Sequence, residues 1–276
     1  VVKVAIGKDT RRSSYMFEYA IAAGLTASGA EAYMLHVTTT PSVSYVVNQD
    51  GFDCGVMISA SHNPCEYNGI KLFNDSGYKL PDSIEEEIEA LVLDDMSPIK
   101  FPTGGDVGNV FIRHDYIDKY IDHIVNSTDV RLDGLKIALD CSNGSASYTA
   151  QRIFKALGAE LHIMHANPDG ENINANCGST HMDGIIDYVN AYGMDLGLAF
   201  DGDSDRCLAV DEKGNLIDGD RLIAVFAKSL KEQNKLKGNT AVVTVMTNIG
   251  FKKFAKENGI DVAETGVGDR YVLEEM

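Results

Sequence analysis

Near its start the chain reads Val2-Lys3-Val4-Ala5-Ile6, a polar loop, a helical pattern over Ser14–Ser28, then Gly29-Ala30-Glu31 and the apolar run Ala32–Val37. Short apolar runs that alternate with helical periodicity are typical of parallel strands covered by helices. The stretch therefore predicts a strand, a helix and a second strand. Gly29 stands where a helix commonly ends in a left-handed residue.

The same plan returns twice. The second copy has strands at Lys136–Leu139 and Leu161–Met164 and a helix that ends at Leu157, before Gly158. The third copy opens with Ala241–Val245, continues with a helix from Ile249 and closes at Gly259. The ordinary order of βαβ units explains this as well as true internal repetition does. Either way the sequence predicts an α/β fold with largely parallel sheets.

Two segments mark domain boundaries. The helical stretch Tyr116–Val125 with the polar residues after it reads as one link, and Lys235–Asn239 reads as another. We predict domain one over 1–130 and domain two over 131–238, with 239–276 as the start of an incomplete domain three. Because so short a segment cannot close its own core, we expect the chain to be a piece of a longer protein.

Composition excludes several classes of function. The 276 residues carry a formal net charge of −17, which argues against nucleic acid as a partner, because phosphates need a basic surface. The chain has no apolar run of about 18 residues that could span a membrane. The five cysteines are scattered without a C-x-x-C pair, which indicates reduced thiols and a cytoplasmic location.

The run Ser59-Ala60-Ser61-His62-Asn63-Pro64 follows the strand-like stretch Cys54–Ile58. A capped turn would explain a lone Ser-His pair. Ser61, however, leaves the carboxyl end of a buried strand, where open α/β sheets place their ligand sites. The loop then brings the amine of Lys71 back towards it. No G-x-S-x-G elbow surrounds Ser61, so we interpret it as a hydroxyl nucleophile outside a Ser-His-Asp triad.

Three carboxylates follow a second apolar run, Leu196–Phe200, in the order Asp201-Gly202-Asp203-Ser204-Asp205-Arg206. Three like charges within five residues repel one another unless a cation is present, and hard divalent cations prefer oxygen ligands. An EF-hand is disfavoured because Arg206 stands where its loop requires Gly. We therefore predict a metal site here, in preference to a surface turn whose acids are only solvated. With Ser61, this predicts phosphoryl transfer through a phosphoserine held against Mg²⁺.

Two loops offer cations for a phosphate. Arg11 lies in Gly7–Ser14, between the first strand and the first helix. That loop reads as a capped helix entry, or as a place from which a guanidinium screens a nearby phosphoserine. Gly266–Arg270 supplies flexible backbone, and its Asp269 and Arg270 are candidate substrate-binding residues.

Several motifs, in order along the whole chain, resemble the α-D-phosphohexomutase family: Ser59–Pro64, Asn68–Lys71, Asp201–Arg206 and Gly7–Ser14. Within that family, Asn172–His181 and Val267–Val272 resemble the phosphoglucosamine mutase branch, although Ser204 stands where that branch more often has Gly. The family's G-T-x-G-x-R-G segment, its G-E-x-S-G-H sugar loop and its carboxy-terminal phosphate-binding domain have no counterpart here. We therefore expect no turnover by the chain alone.

The resemblance implies repeated three-layer α/β domains with mixed, mostly parallel sheets. It implies interconversion of glucosamine 6-phosphate and glucosamine 1-phosphate, with a bisphosphorylated sugar as intermediate and activator. The phosphosugar would be a small-molecule partner, and the resemblance allows a homodimer. The implied roles are phosphorylation at Ser61, Mg²⁺ ligation by Ser61, Asp201, Asp203 and Asp205, general-base catalysis by Lys71 with a depressed pKa, and phosphoryl orientation by His62, Arg11 and Arg206.

Three alternatives stay open. One is another phosphohexomutase that acts on glucose or mannose phosphates. Another is a metal-dependent phosphatase with Asp201 as nucleophile and Asp203 as acid, although that assignment leaves Ser61 unused. The third is a non-catalytic module that binds sugar phosphates. The residues by themselves support only Mg²⁺-dependent phosphoryl transfer through serine.

Overall fold

A computed structural model describes residues 1–93 and 99–276. The chain divides into two compact units, Val1–Asn215 and Leu216–Met276. Among the described residues, no helix is both long enough and apolar enough to cross a membrane.

The first unit opens with a sheet in the strand order β4-β3-β1-β2-β5. Its strands are β1 (Lys3–Lys8), β2 (Glu31–Val37), β3 (Cys54–Ile58), β4 (Ile70–Asn74) and β5 (Val110–Ile112). All neighbouring pairs are parallel except β3 with β4, which is antiparallel. The helices of this part are α1 (Arg12–Ala27), α2 (Thr40–Asp50), α3 (Asp82–Leu93) and α4 (Asp115–Asn126). Buried side chains such as Ile6 and Met57 form its core.

The second sheet of this unit has its strands in the order β9-β8-β6-β7. They are β6 (Lys136–Asp140), β7 (Glu160–Met164), β8 (Leu196–Phe200) and β9 (Cys207–Asp211). The pairs of β6 are parallel, and β8 pairs with β9 antiparallel. Two helices accompany these strands, α5 (Ala146–Ala156) and α6 (Asp183–Tyr192). The two sheets confirm the predicted α/β class with mixed, mostly parallel strands.

The second unit is smaller. Its elements are β10 (Leu216–Ile217), α7 (Gly219–Glu232), β11 (Thr240–Thr244), α8 (Ile249–Glu257), β12 (Asp261–Thr265) and α9 (Asp269–Glu275). Strands β11 and β12 are parallel, and Ala227 of α7 shares a buried cluster with Val243 and Phe251. Helix α7 lies within the predicted range 131–238, and it packs with the elements that follow it. The predicted domain limits themselves stay predictions.

The three predicted strand-helix-strand segments are present. Helices α1, α5 and α8 each end two residues before a glycine in left-handed conformation, Gly29 at φ 88°, Gly158 at φ 96° and Gly259 at φ 62°. A residue with a Cβ is strained there, so glycine lets the chain turn sharply into the next strand. These turns bring β2, β7 and β12 back beside the strand that precedes each helix.

Candidate active site

Ser61 lies just beyond the carboxyl end of β3. Its φ of 53° is left-handed, which for a residue other than glycine costs on the order of 1–3 kcal/mol and persists only where the surroundings enforce it. The hydroxyl of Ser59 accepts a hydrogen bond of 2.9 Å from the backbone N–H of Ser61. The residue is only 9% exposed. The loop therefore presents the Ser61 side chain from a fixed backbone.

The three predicted acids lie beyond the carboxyl end of β8. Asp201 and Asp203 are fully buried, whereas Asp205 is exposed. One oxygen from each carboxylate lies within 4.8 Å of the others, a grouping that could hold a metal ion. Backbone N–H groups of Arg206 and Ser204 bond back to Asp201 and close the turn.

The serine loop and the acidic loop meet across the two sheets of the first unit. Ser61 Oγ donates a hydrogen bond of 2.6 Å to Asp201 Oδ2. The backbone N–H of Thr40, at the start of α2, donates to the carbonyl of Asp203 at 2.9 Å. The Thr40 hydroxyl also bonds the Asp203 carboxylate. The carboxyl ends of β3 and β8 thus converge at one point.

Burial perturbs two carboxylates of the acidic cluster, those of Asp201 and Asp203. Burial, together with the neighbouring charge of Asp203, raises the pKa of Asp201 to about 6. Asp203 Oδ1 is buried and has no hydrogen-bond partner among the described residues. An acceptor left unpaired in a buried place is costly. A hard cation prefers oxygen ligands and would bind this oxygen together with those of the neighbouring carboxylates.

Lys71 lies in strand β4 and not in the loop that we expected. Pairing with β3 sets Lys71 opposite Met57 and directs its Nζ to Asp203 Oδ2 at 2.5 Å and Asp205 Oδ2 at 2.8 Å. Burial lowers the pKa of Lys71, but the charges of and hydrogen bonds to Asp203 and Asp205 outweigh it and raise the pKa overall. In this arrangement the pKa of Lys71 is thus raised and not depressed, and its role as a general base stays a prediction.

Arg11 is fully buried. Its guanidinium bonds the carboxylate of Asp9, the carbonyl of Ser61 at 3.2 Å and the carbonyl of Asn63. The guanidinium thus holds the serine loop through its backbone carbonyls. Its predicted contact with a phosphoryl group stays a prediction.

His62 follows Ser61 in the sequence, and Arg206 contacts His62. Arg206 Nη1 donates to His62 Nδ1 at 2.8 Å. Because a guanidinium cannot accept, His62 Nδ1 is the acceptor of this bond. The same nitrogen is 3.5 Å from Ser61 Oγ. Their role at a phosphoryl group stays a prediction.

Asp269 and Arg270 begin α9 in the second unit. Arg270 Nε lies 3.5 Å from Glu274 Oε1. Their role in binding substrate stays a prediction.

Sequence reasoning assigned no role to two residues of the site, Thr40 and Asn174. Asn174 Nδ2 donates to the carbonyl of Ser61 at 2.9 Å and to that of Asn63 at 3.1 Å. Each of these two bonds joins residues more than 100 positions apart, because Asn174 is 113 positions from Ser61 and 111 positions from Asn63. Asn174 lies in the stretch Asn172–His181 that carries part of the family resemblance, and this signal could have found it, whereas Thr40 has only the polar run around it.

Family models match nearly the whole chain. They are described as phosphoglucomutase/phosphomannomutase α/β/α domain I over residues 2–98, domain II over 114–214 and domain III over 218–276. The predicted repetition of three-layer α/β domains is confirmed by these matches.

Curated relatives are similar along 99% of the chain. The phosphoglucosamine mutases of Clostridium beijerinckii and Lachnoclostridium phytofermentans are 53% and 50% identical to it over 274 residues. The phosphoglucosamine mutase of Clostridium novyi is 52% identical over 275 residues. The chain spans 61% of the length of each of these relatives.

Solved structures share the fold. A phosphoglucomutase/phosphomannomutase family protein from Burkholderia thailandensis superposes with a TM-score of 0.84 at 28% identity, over 99% of this chain and 60% of that one. Parafusin, a phosphoglucomutase from Paramecium, superposes in its open form with a TM-score of 0.71 at 18% identity, over 97% of this chain and 55% of that one. The second likeness shows the fold alone.

Proposed function

Because the chain belongs to the phosphoglucomutase/phosphomannomutase family, we propose that the whole protein is a phosphoglucosamine mutase that interconverts glucosamine 6-phosphate and glucosamine 1-phosphate. The hydrogen bond of 2.6 Å from Ser61 Oγ to Asp201 Oδ2 carries this proposal, because it joins the nucleophile to the acidic cluster. The choice of the amino sugar rests on the relatives named phosphoglucosamine mutase. Glucose or mannose phosphates are the alternative substrates.

In the proposed reaction, phosphorylated Ser61 gives its phosphoryl group to the free hydroxyl of the bound sugar. The bond from phosphorus to Ser61 Oγ breaks, a bond to the sugar oxygen forms, and the proton of the sugar hydroxyl ends on Ser61 Oγ. The product is a 1,6-bisphosphate. The sugar then turns over, and its other phosphate returns to Ser61. Splitting the transfer into two steps through a serine is covalent catalysis.

The site fits a divalent cation, and we propose Mg²⁺ held by Asp201, Asp203, Asp205 and an oxygen of Ser61. Two observations support this choice: the buried Asp203 Oδ1 without a partner among the described residues, and three carboxylates gathered within 4.8 Å. Mg²⁺ prefers such oxygen ligands. When bound, it would neutralise charge on the transferred phosphoryl group.

The remaining side chains would orient the phosphoryl group and neutralise its charge. On the resemblance, Arg206 and His62 would bond oxygens of a phosphate on Ser61, a role that the 3.5 Å between His62 Nδ1 and Ser61 Oγ supports. Lys71 stays our proposed general base on the resemblance, although its ammonium pairs here with Asp203 and Asp205, which opposes that role. On the same resemblance we propose Asp269 and Arg270 as substrate contacts, a small phosphosugar as partner, a homodimer and a cytoplasmic location.

A phosphatase with Asp201 as nucleophile is disfavoured. That assignment leaves Ser61 unused, although Ser61 Oγ donates to Asp201 Oδ2 at 2.6 Å from a left-handed backbone. Ser61 is therefore the better candidate for the phosphorylated residue.

The test uses the full-length protein that carries this chain. Intact-mass analysis should find one phosphate, mapped to Ser61, and a coupled assay should detect glucosamine 1-phosphate made from glucosamine 6-phosphate in the presence of a hexose 1,6-bisphosphate. Ser61→Ala should lower kcat by roughly 10³-fold or more, because the attacking atom is gone. Ser127→Ala, which changes an exposed serine at the end of α4, should leave it unchanged.

Other results would contradict the proposal. An active Ser61→Ala variant, or a phosphate mapped to Asp201, would remove the serine mechanism. A higher kcat/KM for glucose 6-phosphate or mannose 6-phosphate than for glucosamine 6-phosphate would leave the mechanism in place and overturn the choice of sugar.

A further inference from the structure

Two side chains from distant parts of the chain bond the same two carbonyl oxygens. Arg11 Nη2 donates to the carbonyls of Ser61 and Asn63. Asn174 Nδ2 donates to the same pair, at 2.9 Å and 3.1 Å. Arg11 comes from the loop after β1, and Asn174 comes from the segment between β7 and α6. The backbone of the serine loop is thus held from two sides.

The loop needs such support. Ser61 has a left-handed backbone with φ 53°, a conformation that relaxes unless the surroundings enforce it. The direction of Ser61 Oγ towards Asp201 depends on that conformation, because rotation of the backbone would carry the Cβ with it. Whatever fixes the Ser61 carbonyl therefore also fixes the line along which the hydroxyl points.

Asn174 is itself rigidly placed. It is 7% exposed, and its backbone N–H donates to the carbonyl of Ser142 at 2.8 Å. A few residues further on, the N–H of Gly178 donates to the buried carboxylate of Asp140 at 2.9 Å. These bonds tie the segment that carries Asn174 to the end of β6, so its amide does not have to be ordered when substrate binds.

A third element packs against the same place. A Cβ added to Gly202 would lie 2.6 Å from the Ser61 carbonyl oxygen and 2.9 Å from Asn174 Nδ2. Gly202 stands between Asp201 and Asp203. The amide of Asn174, the serine carbonyl and the acidic loop are therefore in mutual contact.

We propose that Asn174 is a positioning residue for Ser61, acting through the Ser61 and Asn63 carbonyls to aim the hydroxyl or its phosphate at the acidic cluster. The proposal rests on the proposed function, since the aim matters for phosphoryl transfer. Asn174 acts through the backbone and is not assigned any contact with the reacting atoms. Its loss should therefore lower kcat and leave KM for the sugar phosphate nearly unchanged.

The test compares three variants of the full-length protein. Asn174→Asp keeps the size of the side chain and replaces the donor with an oxygen that faces two carbonyls. Asn174→Gly removes the side chain while allowing the left-handed backbone of φ 57°, so it covers the case in which the aspartate variant fails to fold. The matched control is Asn176→Asp, the same chemical change at an exposed residue of φ 53° in the same segment.

We expect kcat to fall by about tenfold or more in both Asn174 variants, since a loss near 1.4 kcal/mol corresponds to a factor of ten. KM should change by less than about threefold. Peptides that cover residues 59–64 should exchange their amide hydrogens faster than in the control. The proposal is overturned if kcat of both variants stays within about twofold of Asn176→Asp, or if exchange over 59–64 is unchanged.

The hydrogen-exchange measurement distinguishes a failure of the proposed function from a failure of the proposed role of Asn174. If the unmodified protein shows neither phosphoserine nor mutase activity, the proposed function fails. In that case faster exchange over residues 59–64 in the Asn174 variants would still support the hold on the loop. Unchanged exchange would refute that hold as well.

Discussion

Replacing Gly202 by alanine should disrupt the contact between the serine loop and the acidic loop. The added Cβ would come 2.6 Å from the Ser61 carbonyl oxygen and 2.8 Å from Ile173 Cδ1. Real Cβ atoms do not approach other heavy atoms that closely, so the structure must move. The nearest neighbour is a backbone oxygen, which cannot rotate away as a flexible side chain would.

The magnitude follows from two opposing effects. Overpacking of a tightly packed site costs about 1–3 kcal/mol. Alanine also restricts the unfolded chain, which returns about 0.4–1 kcal/mol. Taking the middle of each range, the free energy of unfolding should fall by about 1.3 kcal/mol. For a protein of this size that corresponds to a drop in Tm of roughly 3–5 °C.

Urea unfolding followed by circular dichroism or tyrosine fluorescence measures this change, since the chain has 12 Tyr and no Trp. The matched control is Gly24→Ala at an exposed position in the last turn of α1, where an added Cβ meets nothing within 4 Å. That variant should be more stable by about 0.5–1 kcal/mol, because glycine is unfavourable inside a helix. The two substitutions therefore differ in sign.

The reasoning is refuted if Gly202→Ala unfolds at the same urea midpoint as the unmodified protein and transfers phosphate at the same rate. Such a result would mean that the acidic loop can retreat from the Ser61 carbonyl at no cost. A loss of activity without a loss of stability would instead mean that the substitution changes the direction of the Ser61 hydroxyl and not the free energy of unfolding.

Three further predictions can be checked separately. Asp203→Asn should weaken Mg²⁺ binding by about tenfold or more in calorimetry, because a charged ligand is lost; the exposed control Asp187→Asn should not, and equal dissociation constants would contradict the metal site. Burial raises the pKa of three thiols to about 12, those of Cys141, Cys177 and Cys207. Iodoacetamide at pH 8 should therefore label them only after unfolding, and rapid labelling of the folded protein would contradict this. Amides of β11, in a two-stranded sheet, should exchange faster than those of β1, which has a strand on each side; equal protection would be the contrary result.

The local parts of the fold were predictable because their causes are local. An apolar run sets each strand, periodicity sets each helix, and Gly29, Gly158 and Gly259 set the turn that follows. The positions of Ser61 and the acids at strand ends could be predicted for the same reason. Each follows directly after an apolar run that the sheet buries.

The non-local parts could not be predicted from the pattern. Strand β4 has one fully buried side chain, Phe73, and no clear alternation, so only its pairing with β3 shows that Lys71 belongs to a strand. The loop of Arg11 allows either a capped helix entry or a phosphate contact, and nothing local predicts that its charged side chain is buried. Its burial depends on Asp9 and on carbonyls about 50 residues away. Thr40 meets Asp203 across 163 positions.

The meeting of Ser61 with Asp201 also has a consequence for the order of events in folding. The two residues are 140 positions apart and belong to different sheets, and contacts that close long loops form slowly. Helices and strands can therefore appear during refolding while the chemistry is still absent. We expect recovery of phosphoryl transfer to lag behind recovery of the circular dichroism signal. A newly made chain with one finished sheet would be inert until the other docks against it.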